Sequence, residues 1–224
     1  IEDVENPEFD YCPTDLEQPT NSCVGLVVVP IPTATDNCGI ESITHIAIHE
    51  DGTIVSEAAN ATVGQLFPVG VTTITWTATD LAGNTAICET TVTITDVMPP
   101  LIFCTNDEEG TTEEGICEGL VNISTPNAVD LTPFPVDGCG EVSITFTATH
   151  ILNVEGETIS ETFIPDADNT DASNATGYYP AGTTEIVWTA TDASGNEASC
   201  AIYVTITDEE APIFINCPTD IEVF

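Results

Sequence analysis

Residues 67 to 100, FPVGVTTITWTATDLAGNTAICETTVTITDVMPP, align without a gap on residues 179 to 212, YPAGTTEIVWTATDASGNEASCAIYVTITDEEAP, an offset of 112. Both copies contain WTATDxxGNxAxC followed by VTITD. Within the first copy Ile74, Trp76 and Ala78 alternate with Thr75, Thr77 and Thr79. Cys88, Val92 and Ile94 likewise alternate with Glu89, Thr91, Thr93 and Thr95. A period of two places one face of each strand in a core. Asp80 to Asn84 supplies Gly and Asn where a hairpin turn needs positive φ. Trp76 and Trp188 fall on the inward face and read as core. No window carries a helical period.

Working outward, Cys12, Cys23 and Cys38 correspond to Cys104, Cys117 and Cys139 at offsets of 92, 94 and 101. The second copy therefore carries small loop insertions and a larger one near residues 151 to 176, rich in Asp, Asn, Thr and Ser. Asp208-Glu-Glu-Ala-Pro and Cys217-Pro-Thr-Asp-Ile-Glu repeat the opening of the chain, Asp3 to Glu17. The expected organisation is the end of a preceding linker at 1–6, one module at 7–96, a second at 97–208 and the start of a third at 209–224. A spacing of about 100 residues between linkers suits an immunoglobulin-like sandwich. Val24 to Val29 reads as a continuously apolar, buried strand.

Composition narrows the function. The 224 residues include 38 Asp and Glu and no Lys or Arg, a formal charge of −38. Such a chain neutralises no phosphates, which excludes nucleic acid as a partner, and has no polybasic attraction to anionic lipid. Schiff-base lysines, phosphate-binding lysines and arginine clamps are excluded by the same count. An apolar share of 42% is ample for packed cores. No stretch approaches 18 uninterrupted apolar residues and the start lacks a basic region, so neither a membrane span nor a signal peptide is expected here. Nine cysteines without a CxxC pair point to structural disulfides and an extracellular location.

These residues resemble the hyalin repeat, or HYR, module: a CPxDI-like start, a central TATDNCG, then FPxGxTTxTxTATDxxGNxAxC and a VTxTDxxxP exit. The resemblance covers essentially the whole chain, twice, plus the opening of a third unit. Four cysteines per unit with Asp36-Asn-Cys38-Gly are similar to forms found in long secreted surface proteins of bacteria, notably Bacteroidetes-type adhesins and filament proteins. It implies an all-β chain of tandem immunoglobulin-like sandwiches arranged as an extended rod, serving adhesion or surface structure without catalysis. Its partners would be neighbouring repeats, other copies in a filament bundle, or surface glycans and proteins, with the last giving the alternative of a ligand-binding adhesion module. The second unit departs from the pattern, with Val136-Asp-Gly-Cys-Gly for DNCG and Cys104-Thr-Asn-Asp for CPTD.

Four cysteines per unit allow three connectivities. The ends of an immunoglobulin-like sandwich favour Cys12 with Cys88, leaving Cys23 with Cys38, and by analogy Cys104 with Cys200 and Cys117 with Cys139. Calcium is the most specific ligand the residues offer. Asp80 and Asn84 flank a Gly-containing loop, Asp36 and Asn37 lie in another, and Asp3 lies in the linker. The second unit offers Asp192, Asn196, Asp137 and Asp96, and Asp208 opens the next junction. Hard oxygens from three segments suit Ca²⁺, whereas the bland reading has these residues bonding their own turns. His45, His49 and His150 read as strand-face residues, and no serine nucleophile motif occurs. Asn60, Asn122 and Asn174 begin N-glycosylation sequons.

Overall fold

In a computed structural model the described residues are 3–59, 63–130, 140–154, 157–165 and 171–213. The first repeat contains β1 (Glu8–Tyr11), β2 (Leu16–Thr20), β3 (Val24–Val29), β4 (Thr33–Thr35), β5 (Ile40–His49), β6 (Ile54–Ala59), β7 (Val63–Pro68), β8 (Gly70–Asp80) and β9 (Thr85–Asp96). The second contains β10 (Leu101–Phe103), β11 (Glu108–Thr111), β12 (Glu118–Val121), β13 (Asn127–Val129), β14 (Ser143–Val154), β15 (Glu157–Phe163), β16 (Gly177–Pro180), β17 (Gly182–Thr191) and β18 (Glu197–Thr207). Every strand of one repeat has its counterpart in the other.

Each repeat builds the same sandwich. In the first, a five-stranded sheet runs β2-β9-β8-β5-β6, and β3 pairs with β7 in a second layer. A short pair joins β1 to β4. In the second repeat the equivalents are β11-β18-β17-β14-β15, β12-β16 and β10-β13. The opening strand β2 runs parallel to β9, placing Leu16 opposite Val92 and Thr20 opposite Asp96. β11 runs parallel to β18 in the same way, whereas β1–β4, β3–β7, β5–β6, β5–β8, β8–β9, β12–β16 and β14–β15 are antiparallel. This is an all-β, immunoglobulin-like architecture, as the alternating pattern anticipates. Among the described residues no helix is long and apolar enough to cross a membrane.

The chain divides into two compact units. One is Ile1–Leu101 with Val129–Val142 and Thr191–Glu197, the other Ile102–Ala128 with Ser143–Ala190 and Ala198–Phe224. Two segments that belong to the second repeat by sequence are thus grouped with the first; they carry Asp130 and Asp192.

The cores follow the period of two. Val27, Val29, Ala47, Phe67, Ile74, Trp76, Val92 and Ile94 form one cluster. Ile186, Trp188, Ile202, Val204 and Ile206, with Tyr179 and Val121, anchor the other. Trp76 stacks on His45, centroids 5.0 Å apart, and Trp188 stacks on Phe146 at 5.3 Å with nearly the same tilt. His45 is therefore a core ring that fills the place of a phenylalanine, with Nε2 3.1 Å from Ser56 Oγ. His49 and His150 are equivalent core histidines, each bonding a buried threonine, Thr72 at 3.3 Å and Thr184 at 3.1 Å.

Two expectations change. Val24–Val29 is not buried on both faces: β3 alternates, and Val24, Leu26 and Val28 lie outward. A continuous apolar run suggests two covered faces, but a two-stranded layer is covered only on its inner side. The insertion at 151 to 176 is in part regular, because β14 and β15 form a hairpin in which Leu152 faces Ile159.

Glycine is required at Gly70, where φ is +110°, and at its equivalent Gly182, φ +118°. A Cβ on Gly70 would enter the Glu50 carboxylate and lie 2.8 Å from His49 Cε1. Gly52 also has positive φ, +89°, but open space around it. Replacing Gly52 with Ala should cost roughly the 1–2 kcal/mol of left-handed backbone strain, and Gly70→Ala clearly more, read from chemical denaturation. Burial lowers the pKa of His45 below its ordinary value. The unfolded chain then binds the proton first, so stability is full above about pH 6.5 and falls as pH drops below it. His45→Phe should flatten the dependence of melting temperature on pH between about 7 and 5 relative to the parent chain.

Candidate divalent-cation sites

The turn after β8 is built around one carboxylate. Asp80 Oδ1 accepts from the backbone N–H groups of Ala82 and Asn84, both at 2.8 Å, and Oδ2 accepts from Asn84 Nδ2 at 2.7 Å. Gly83, with φ +93°, lets the chain reverse there. The turn after β17 repeats this bond for bond. Asp192 Oδ1 accepts from Ser194 and Asn196 at 2.9 Å, and Oδ2 from Asn196 Nδ2 at 2.9 Å. Both aspartates are buried. Burial alone would raise the Asp80 pKa, but the amide donors of Asn84, Ala82 and Gly83 outweigh it and hold the carboxyl below its usual range.

Two further carboxylates converge on each turn. Asp3, Asp36 and Asp80 bring one oxygen apiece to within 4.8 Å of one another, and so do Asp96, Asp130 and Asp192. Asn84 Nδ2 reaches the carbonyl of Asp3 at 3.3 Å, and Asn196 Nδ2 that of Asp96 at 3.2 Å, tying the linker segment to the turn. Asp36 Oδ1 accepts from the N–H groups of Cys38 and Gly39 at 2.8 and 3.2 Å. Asp96, 2% exposed, bonds Met98 N through Oδ1 at 3.0 Å, while its buried Oδ2 has no hydrogen-bond partner among the described residues. Three carboxylates this close repel, and the sequence contains no Lys or Arg to offset them. The donor set is hard oxygen throughout, which fits Ca²⁺ or Mg²⁺ and not a nitrogen- and sulfur-preferring metal.

Of the residues singled out from sequence, Asp3, Asp36, Asp80, Asp96 and Asp192 enter these clusters. Asn84 and Asn196 direct their amide nitrogens at the clustered carboxylates, so they position ligands and do not supply an oxygen. Asn37 turns away and donates to the Glu5 carboxylate. Asp208 accepts from Glu210 N at 2.9 Å and Thr112 Oγ1 at 3.3 Å, outside either cluster. Asp137 lies outside the described residues. The place equivalent to Asp36 is held by Asp130, which sequence reasoning missed. The signal is Thr33-Ala-Thr-Asp36 against Asn127-Ala-Val-Asp130, the same strand and the same offset of 94 as Cys23 and Cys117.

The disulfides join Cys12 to Cys88 and Cys104 to Cys200, each tying the segment before the parallel strand to the last strand of its repeat. The expected Cys23–Cys38 and Cys117–Cys139 bonds do not form: Cys38 and Cys117 are exposed free thiols, while Cys23 is disulfide-bonded elsewhere. Cys38 sits in the loop that carries Asp36, where a hydrogen bond with the Asp3 carboxylate first, then burial and the charges of Asp3, Asp36 and Asp80, raise its pKa. In the sequons Asn122 is exposed, Asn174 is half-buried and accepts from Thr176 N at 3.0 Å, and Asn60 lies outside the described residues.

Residues 2–94 match the HYR domain family. Over 213 residues, 92% of its length, the chain is 27% identical to hyalin of Strongylocentrotus purpuratus. Over 207 residues, 91% of its length, it is 29% identical to the sushi, von Willebrand factor type A, EGF and pentraxin domain-containing protein 1 of Mus musculus. Among solved structures, Drosophila N-cadherin EC1-4 aligns over 91% of this chain and 50% of that one, at 16% identity and a TM-score of 0.38. The two sequence relatives are animal proteins, and the expected bacterial source finds no support in them. The match to the HYR domain family thus covers the first repeat, in a chain that spans 15% and 4% of the lengths of these two relatives.

Proposed function

We propose that this chain is a non-catalytic structural segment of an extracellular repeat array, a stalk or filament, held by disulfides and by calcium. The ion is assigned to Asp3, Asp36 and Asp80 in one site and to Asp96, Asp130 and Asp192 in the other. One observation carries the reading: the same three-aspartate convergence occurs twice, at equivalent positions, in a chain devoid of cationic side chains. The ligands come from a linker, a loop and a hairpin turn far apart in sequence, so an ion binding all three restrains their relative motion. The hyalin relationship and the disulfides support an extracellular setting, where calcium is abundant and weak affinity suffices. The three histidines support the non-catalytic part, since each packs against a Thr, Ser or Trp inside a core.

Thermal unfolding of the disulfide-intact chain across a calcium titration tests the reading. With a Kd of order ~10⁻⁴ M, calcium at a hundredfold excess should stabilise each occupied site by about 2.7 kcal/mol, a rise in melting temperature of order 10 °C. Asp36→Asn and Asp130→Asn should each remove the contribution of one site, whereas Asp208→Asn, outside both clusters, should leave both. A small rise shared equally by magnesium and unchanged in these variants would reduce the clusters to diffuse charge.

A further inference from the structure

The two carboxylate clusters occupy equivalent positions in unlike surroundings. Asp96 is the last residue of β9, where it stands opposite Thr20 of β2, and the next amide, Val97 N, donates to the Thr20 carbonyl at 3.0 Å. The sheet therefore fixes its backbone. Asp3, its counterpart at an offset of 93, precedes β1 and belongs to no strand. The side chains differ in the same direction. Asp96 is 2% exposed and Asp192 6%, and Asp96 Oδ2 is buried with no hydrogen-bond partner among the described residues. In the other cluster only Asp80 is buried, and Asp3 and Asp36 are half-buried.

The flanking residues separate the clusters further. Glu5 and Glu8 follow Asp3, and with Asn6, Thr35, Asp36 and Asn37 they line an open polar hollow beside the first cluster. The offset of 93 puts Met98 and Leu101 where Glu5 and Glu8 stand, and the offset of 94 puts Val129 in the place of Thr35. The first cluster thus has two further carboxylates and free access for water, and the second has apolar side chains instead. Magnesium dehydrates reluctantly and keeps several waters when bound, whereas calcium accepts bidentate carboxylates in flexible geometry. A buried site on a strand end, bordered by apolar groups, disfavours an ion that must keep its water. An open site with extra carboxylates attracts either ion through charge.

We infer that the Asp96–Asp130–Asp192 site selects calcium over magnesium and holds it with few waters, whereas the Asp3–Asp36–Asp80 site takes both ions with their water. This rests on the calcium reading given above and adds the residues that set selectivity: Asp96, through its strand position and bare oxygen, and Met98, which replaces the flanking acid.

Calcium and magnesium titrations of the disulfide-intact chain, followed by calorimetry, test the assignment. Asp36→Asn leaves the second site to be measured and Asp130→Asn leaves the first, with the melting temperature in EDTA reporting that each variant is folded; Asp96→Asn takes the place of Asp130→Asn if that chain does not fold. The Asp36→Asn chain should bind calcium about a hundredfold more tightly than magnesium, and the Asp130→Asn chain less than about tenfold. Added NaCl should weaken calcium binding more in Asp130→Asn than in Asp36→Asn, because exposed charges are screened more than buried ones. With terbium as a probe, emission lifetimes in H2O and D2O should report fewer bound waters in Asp36→Asn. Adding Met98→Glu to Asp36→Asn should lower the calcium preference about tenfold. Equal preferences and equal water numbers in the two variants, or a stronger calcium preference in Asp130→Asn, would overturn the selectivity and leave the calcium reading standing. No saturable calcium binding in either variant would overturn both.

Discussion

The absence of Lys and Arg constrains everything else in this protein. A buried carboxylate elsewhere can be offset by a guanidinium or an ammonium; here it must find N–H and O–H donors or a cation from outside the chain. Asp80 and Asp192 show the first solution, each embedded in three donors from its own turn. That arrangement explains why the turn is written Asp-x-x-Gly-Asn: Asp accepts, Gly permits the reversal, and Asn both donates to the carboxylate and reaches back to the linker carbonyl. Asp96 shows where the first solution stops, with one buried oxygen unmet beside two other carboxylates. The turn is thereby both a fold element and one wall of an acidic site.

Without Lys or Arg to form salt bridges, cohesion within each repeat rests on apolar packing, sheet hydrogen bonds and the disulfide that ties its first segment to its last strand. The cores are small and depend on a tryptophan stacked on a second ring. That ring is His45 in one repeat and Phe146 in the other, which shows the position demands a flat ring of that size more than its chemistry. The disulfides Cys12–Cys88 and Cys104–Cys200 close loops of 76 and 96 residues, and on the chain-entropy account each constrains the unfolded state by about 4 kcal/mol. For sandwiches of this size that is a large share of the total stability.

Much of the fold was legible because strand signals are local. The alternation in Val71–Thr79 and Cys88–Thr95 gave the inward faces that β8 and β9 adopt, and the Gly-Asn turn between them follows from backbone sterics alone. Val24–Val29 misled because local hydrophobicity does not report how many layers a fold stacks on a strand. At the acidic sites the participating linker, loop and turn were readable, yet Asp130 was passed over. Motif similarity around Cys139 outweighed strand register, and register is what delivers a side chain to a place in space. The cysteines were half legible: Cys12–Cys88 and Cys104–Cys200 form as the ends of the sandwich suggest, whereas Cys38 and Cys117, expected in bonds, are free thiols.

From the sequence alone came the repeat, its all-β character, the excluded chemistries and the residue types able to bind a hard cation, because composition and a period of two are properties of neighbouring residues. Only the tertiary structure decided which oxygens converge and which thiols stay free. Asp3, Asp36 and Asp80 are separated by dozens of residues, as are Cys12 and Cys88, and ångström-scale proximity across such distances is created by the packing of sheets and not by any local preference of the chain.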